Sequence, residues 1–270
     1  MDSTSILLEP SELDAVMARG GILIDARKAG DFKNGHIPGA VPLSTYDDIV
    51  SDTSLEGLKA LTQALAYRYS TAGVTGERPV IIYEDETGPR AARELWMLEL
   101  MGHKKARMLH GGLKQWVAEG GRIIEDTEIP TVRPKKIAVA LVSGCLATAD
   151  EVLRRAGNWD IGILDVRSEL EWSGTDNTPC CRRRGHLPHA VHIEWTQFLE
   201  NGRFKSADAI EALLDSHKIN PRHDIVAYSH HGARSALAYF TMRHAGCAAA
   251  RNLRGSWHEW SARDELPVEI

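Results

Sequence analysis

Short apolar runs recur along this chain, each closing on a charged residue and each preceded by a stretch with helical spacing. Gly21-Ile22-Leu23-Ile24-Asp25-Ala26-Arg27 is one, and Ile161-Gly162-Ile163-Leu164-Asp165-Val166-Arg167 is another. Such a run predicts a parallel strand buried on both faces, whose charged end reaches the carboxyl edge of a sheet. The preceding stretches predict helices at Ser11 to Arg19, with Ser11 as N-cap, and at Thr148 to Ala156, with Thr148 or Asp150 near the cap.

The pattern repeats. Gly35-His36-Ile37-Pro38-Gly39-Ala40-Val41 answers Gly185-His186-Leu187-Pro188-His189-Ala190-Val191, and Val80-Ile81-Ile82-Tyr83 answers Ile225-Val226-Ala227-Tyr228. Gly111-Gly112-Leu113-Lys114-Gln115-Trp116 answers Gly255-Ser256-Trp257-His258-Glu259-Trp260. These matches keep one order at an offset of roughly 140 to 150 positions, the size of an ordinary domain, so the chain reads as an internal duplication. The expected organisation is a first module at 1–125, a linker at 126–142 marked by Pro130 and Pro134, and a second module at 143–270.

Buried strands alternating with helices predict an α/β fold in which each module is a parallel sheet with helices on both faces. Ligands of such sheets lie beyond the carboxyl ends of the strands, which directs attention to the loops after Arg27, Tyr83, Arg167 and Tyr228. Composition narrows the field further. A formal charge of -5 over 270 residues provides no basic field for nucleic acid or an anionic membrane. No apolar run approaches the roughly 18 residues of a membrane span, and Met1 to Pro10 lacks the features of a signal or transit peptide, so a cytoplasmic location is expected. Cys145, Cys180, Cys181 and Cys247 have neither zinc-site nor disulfide-framework spacing, which suits a reducing compartment.

The ordered set Asp-Val-Arg, Gly-His-Leu-Pro, strand-loop-helix and Gly-Ser-Trp-His-Glu-Trp resembles the rhodanese superfamily, and two copies resemble its tandem thiosulfate and 3-mercaptopyruvate sulfurtransferases. The resemblance covers nearly the whole chain. It implies a catalytic loop Cys-x-x-Gly-x-Arg whose cysteine takes sulfane sulfur from a small anionic donor, carries it as a persulfide, and passes it to a thiol or cyanide. No metal and no organic cofactor is implied. The loop after Tyr228 reads Ser229-His230-His231-Gly232-Ala233-Arg234-Ser235 and runs into a predicted helix, Ala236 to His244. Gly232 and Arg234 fall where that pattern requires them, the first to let the backbone turn and the second to close a ring of donors around an anion. Ser229 is the departure: a hydroxyl forms no persulfide and is not ionised without a base, so this form is expected to be inactive through the loop. A loop otherwise intact reads as one whose cysteine has been lost or replaced. The four residues between Ser229 and Arg234 suit sulfur chemistry, whereas phosphatases on a related fold space cysteine and arginine one residue wider. The rival reading is a degenerate rhodanese that binds an anion or a protein partner.

The equivalent loop of the first module, Glu84-Asp85-Glu86-Thr87-Gly88-Pro89-Arg90, places carboxylates where an anion would bind, and resembles the silent N-terminal module of the tandem enzymes. Arg167 is expected chiefly as an ion pair with Asp165 and secondarily as a substrate contact. Where the tandem enzymes often carry a base one turn later this chain has Glu171, which speaks against thiosulfate preference, as does His231 in place of a lysine. A metal held by His230 and His231 with His258, or with His244 and Cys247, lacks a ligand at fixed spacing and is the weaker reading. Cys180 and Cys181 precede Arg182-Arg183-Arg184, whose charge is expected to depress a thiol pKa, so a surrogate thiol stands beside the plainer reading of an exposed loop. His36 and His186, repeated in both modules, are read as structural. Trp257 and Trp260 are read as core, and Cys145 and Cys247 as small hydrophobes.

Overall fold

The computed structural model describes residues 5–48, 52–125, 134, 137–176 and 180–270. The chain forms two compact units: Met1–Asp48 with Lys59–Val142 and Asn201–Arg203, and Ile49–Leu58 with Ser143–Glu200 and Phe204–Ile270. Most of the expected linker, Pro130 included, lies outside the described residues.

In the first unit the strands are β1 (Leu7–Leu8), β2 (Ile22–Asp25), β3 (Ala40–Pro42), β4 (Val80–Tyr83) and β5 (Ala106–Leu109). They form one parallel sheet in the order β1-β5-β4-β2-β3. The second sheet has β6 (Leu146–Ala147), β7 (Ile161–Asp165) and β8 (Ala190–His192). After a short ribbon of β9 (Leu199–Glu200) and β10 (Arg203–Phe204) come β11 (Asp224–Tyr228) and β12 (Ala250–Leu253). Its order, β6-β12-β11-β7-β8, is the same permutation and again parallel. A shared permutation with a crossover at the same place is what a duplicated module produces.

Parallel neighbours need long crossovers, and helices supply them. They are α1 (Pro10–Ala18), α2 (Ala29–Lys33), α3 (Leu55–Thr71), α4 (Pro89–Leu100), α5 (Gly112–Ala118), α6 (Ala149–Arg155), α7 (Glu169–Trp172), α8 (Ala207–Ser216), α9 (Ala233–His244) and α10 (Ser256–Ala262). Two boundaries differ from the sequence reading. α1 is not capped by Ser11: Glu9 is the N-cap, closing a reciprocal capping box with Glu12, and Pro10 takes the first turn, where its missing N–H costs nothing. α9 begins at Ala233 rather than Ala236, because the turn into it is completed at Gly232. Thr148 caps α6 as expected, its side chain accepting from the Glu151 amide.

The cores repeat as well. Leu23, Ile81, Tyr83, Leu109 and Trp116 cluster in the first unit, and Ile163, Val226, Tyr228, Leu253, Trp257 and Trp260 in the second. Trp116 donates its indole N–H to the Arg122 carbonyl, and Trp260 donates to that of Pro267. His36 stacks on Phe32 and bonds the Phe32 carbonyl, as His186 stacks on Trp172 and bonds its carbonyl. Both histidines are structural.

Candidate functional site

The site of interest lies where β11 ends. Tyr228 is wholly buried, and its hydroxyl accepts from the Leu187 amide and donates to Asp165, which locks the strand end to the Gly-His-Leu-Pro turn. Ser229 follows at once, 1% exposed. Arg167 lies beside Asp165, donating to both its oxygens and to the Gly185 carbonyl, with its guanidinium 4.6 Å above the Trp257 ring. This is the ion pair anticipated for Arg167. Burial alone would lower its pKa, but the Asp165 charge and hydrogen bonds raise it, so the group stays ionised. Arg27, Asp25 and Gly35 repeat the arrangement in the first unit.

The loop from Ser229 to Gly232 is held on nearly every polar group. The Ser229 amide donates to Ser256 Oγ, and its carbonyl accepts from the Trp257 amide at 2.9 Å. The His230 carbonyl accepts from the His258 amide, that of His231 from Arg254, and that of Gly232 from Asn252. Asn252, Arg254 and Ser256 thus position the loop, and the sequence reading missed them. Their signal was present: a buried strand, Ala250–Leu253, carrying an asparagine, then an arginine completely shielded from solvent. Side chains that polar are buried only against partners.

Gly232 has a φ of 80°, and a Cβ there would lie 2.5 Å from the Arg254 carbonyl oxygen. Both the left-handed backbone and the clash exclude a side chain. Gly232→Ala is expected to cost about 3 kcal/mol in unfolding free energy, read from thermal or urea melts. A loss below about 0.5 kcal/mol would show that the loop yields easily.

Ser229 Oγ accepts from the Gly232 amide at 3.1 Å and lies 3.2 Å from Ser235 Oγ, which donates to Asn252. These partners are an amide and a hydroxyl, and neither is a base. Attack by a hydroxyl requires removal of its proton, and neither partner can take it. The Ser229 hydroxyl stands at the N-terminal end of the twelve-residue α9, where the backbone favours negative charge.

Arg234, expected to close a ring of donors around an anion, is paired with a carboxylate. Its guanidinium grips Glu171 through two bonds of 2.6 and 2.8 Å. Burial pushes the Glu171 carboxyl up, but Arg234, with the Ser168 amide and hydroxyl, pulls it down to about 2. The pair therefore stays charged at every ordinary pH. His230 is driven the other way: burial, opposed by the Glu171 charge and assisted by Arg234 and His258, takes it to about 4, so its imidazole is neutral near pH 7. The His231 ring lies tilted against it, centroids 4.4 Å apart, and Ala233, buried, opens α9.

Cys180 and Cys181 arrive at this loop. Cys180 Sγ and Cys181 Sγ lie 3.0 and 3.1 Å from His230 Nε2. The expected depression by the arginine run does not occur at Cys181: burial, then Cys180, pushes its thiol up to about 12. Arg183 spends its donors on the carbonyls of Trp260, Ser261, Arg263 and Leu266, and so pins the segment instead of charging it. Of the histidine and cysteine sets considered from sequence, His230 does approach His231 and His258, the latter at 6.3 Å between ring centroids. Cys247 is buried, as is Cys145.

In the first unit Glu84 follows β4 as Ser229 follows β11, but the cradle there is filled from within. The Glu84 carboxylate accepts from the amides of Arg90 and Ala91, at the start of α4. Burial outweighs those bonds and lifts its carboxyl to about 7. Arg90 lies over the Tyr46 ring at 4.1 Å. Asp85 meets Arg27, and Glu86 meets Lys114.

Two parallel α/β modules of one topology, each with a tight turn between its central strand and the following helix, define a duplicated-module class of α/β protein. The chain belongs to the family of the rhodanese-like domain, which matches residues 9–119 and 148–263. It is 30% identical over 270 residues to a thiosulfate sulfurtransferase of Azotobacter vinelandii, covering 99% of this chain and 98% of that one. To the putative thiosulfate sulfurtransferase SseA of Mycobacterium tuberculosis it is 32% identical over 242 residues, covering 87% and 80%. The crystal structure of the 3-mercaptopyruvate sulfotransferase SseA from Escherichia coli superimposes with a TM-score of 0.79 at 22% identity, over 94% of this chain and all of that one, a likeness of fold. Among the described residues no helix is long and apolar enough to cross a membrane.

Proposed function

We propose that the chain is a tandem sulfurtransferase in which the second module carries the reaction site at Ser229 to Ser235, and in which the serine itself blocks the persulfide step. With cysteine at 229, sulfane sulfur from thiosulfate or 3-mercaptopyruvate would bond to the thiolate and leave as thiocyanate or on a thiol, without metal or organic cofactor. The observation carrying this reading is the bonding of Ser229 Oγ to the Gly232 amide at the N-terminus of α9, a position that favours a sulfur anion and that a serine hydroxyl does not exploit. The first module is silent in this proposal because Glu84 occupies its counterpart. A cytoplasmic location and a small anionic donor belong to the same proposal. The test is to assay the serine form and Ser229→Cys side by side with both donors. Turnover by the serine form, or none by the cysteine form, would sink it.

A second reading, a degenerate rhodanese that holds an anion or a partner protein, is favoured by the two-pronged grip of Arg234 on Glu171. A carboxylate already answers the arginine that a donor would need. Because Glu171 stays ionised down to about pH 2, mild acid does not release Arg234, and only substitution does. Adding Glu171→Gln to the Ser229→Cys form is expected to lower the KM for thiosulfate about tenfold, with a smaller change in kcat. An unchanged KM would mean that Arg234 does not contact the donor.

A further inference from the structure

Cys180, Cys181 and His230 place two thiols and an imidazole nitrogen within 4.8 Å of one another. We propose that they form a binding site for a soft, thiophilic d10 cation, Zn(II) or Cu(I), held by both sulfurs and Nε2 of His230.

The ligand set is the argument. Thiolates and a neutral imidazole select such ions over hard, oxygen-seeking ones. Two sulfurs already converge on a single nitrogen, at 3.0 and 3.1 Å. Around zinc, sulfur and nitrogen ligands stand about 3.6 Å apart, given bond lengths of about 2.3 and 2.1 Å, so each sulfur–nitrogen distance needs to open by only about half an ångström. The surroundings are anchored. Arg183 ties the cysteine segment to four carbonyls, two in the last turn of α10 and two beyond it. His230 is held through its carbonyl by the His258 amide and through its ring by His231. His258 Nδ1, buried and without a hydrogen-bond partner among the described residues, adds a further unspent nitrogen beside the cluster. Cys180 is exposed and Cys181 half-buried, which leaves a path for the ion and a place for solvent as fourth ligand. The small cleft that Cys181 lines carries Arg167, Arg183 and Arg184 against Glu171 and Asp176.

The full-length, reduced protein is titrated with Zn(II) against a chromophoric chelator and with Cu(I) against a cuprous chelator, and Co(II) serves as a spectroscopic probe. One ion per chain is expected, with a thiolate-to-cobalt charge-transfer band in the near ultraviolet. Affinity should fall at least about 100-fold in Cys180→Ser and in His230→Ala, and stay unchanged in Cys247→Ser. The tighter of the two competitions names the cation. Absence of the thiolate band, or affinity indifferent to both Cys180→Ser and His230→Ala, overturns the site. Cys180 is exposed, so its replacement tests the ligand without threatening the fold. Neither result depends on residue 229, and failure here leaves the sulfur-transfer proposal standing.

Discussion

Ser229→Cys is expected to raise sulfur transfer from thiosulfate to cyanide by at least about a thousandfold over the serine form, and to accumulate a peptide heavier by one sulfur. The thiolate attacks the outer sulfur of thiosulfate, a new S–S bond forms, the old one breaks, and sulfite departs with the electron pair. Cyanide then takes the sulfur as thiocyanate and restores the thiolate. On the proposed reading the serine form lacks the first of these steps: oxygen forms no persulfide, and the partners of its Oγ are the Gly232 amide and the Ser235 hydroxyl, neither of them a base. In the cysteine form the same amide and the N-terminus of α9 favour a thiolate. Mass spectrometry of the loop peptide after donor treatment, with thiocyanate release as the rate measurement, checks both halves. A cysteine form that neither gains mass nor turns over would move the chain to the binding-module reading.

Glu84→Gln is expected to stabilise the first unit by about 3 kcal/mol at pH 8 and by almost nothing at pH 4. The carboxyl titrates at about 7 in the folded protein against an ordinary 4.5, because burial outweighs the two amides it accepts from and the charge of Arg90. Below pH 4.5 it is protonated folded and unfolded, and no penalty arises. Between 4.5 and 7 the folded state holds its proton more tightly than the unfolded chain, so stability falls as pH rises, and above 7 the full cost is present. Glutamine keeps an oxygen for the Arg90 and Ala91 amides without the charge. Melting curves at the two pH values decide: equal shifts, or destabilisation at pH 8, would show that the carboxylate is welcome in its cradle.

Much of this was legible in sequence because burial leaves a periodic trace. The doubled Asp-Val-Arg and Asp-Ala-Arg strand ends, the paired Gly-His-x-Pro turns and the paired tryptophans each reappear as the same contact in both sheets. Gly232 was legible as a turn, since few residues but glycine adopt its backbone angle. Other features were not. Ser11 looked like a cap, yet Glu9 and Glu12 make the capping box, because the rigid φ of Pro10 suits the first helical position and sets the cap two residues earlier. The arginine run looked like a source of field for the cysteines, and Arg183 instead consumes its donors on backbone carbonyls roughly eighty positions away.

The nucleophile position shows the division most clearly. Sequence by itself determined that the chain is a duplicated parallel α/β protein of rhodanese type, with serine at the end of the central strand of the second module. Strand period, glycine placement and loop spacing are local properties, and local properties survive in a linear string. Only the tertiary structure decided which groups meet there: Arg234 turned onto Glu171, Glu84 folded into its own cradle, and Cys180 and Cys181 brought to His230 across some fifty positions. Those pairings depend on which long side chain reaches which partner once backbone and core are set. Charge and hydrogen-bond competition, screened and redirected by burial, settles that only in three dimensions.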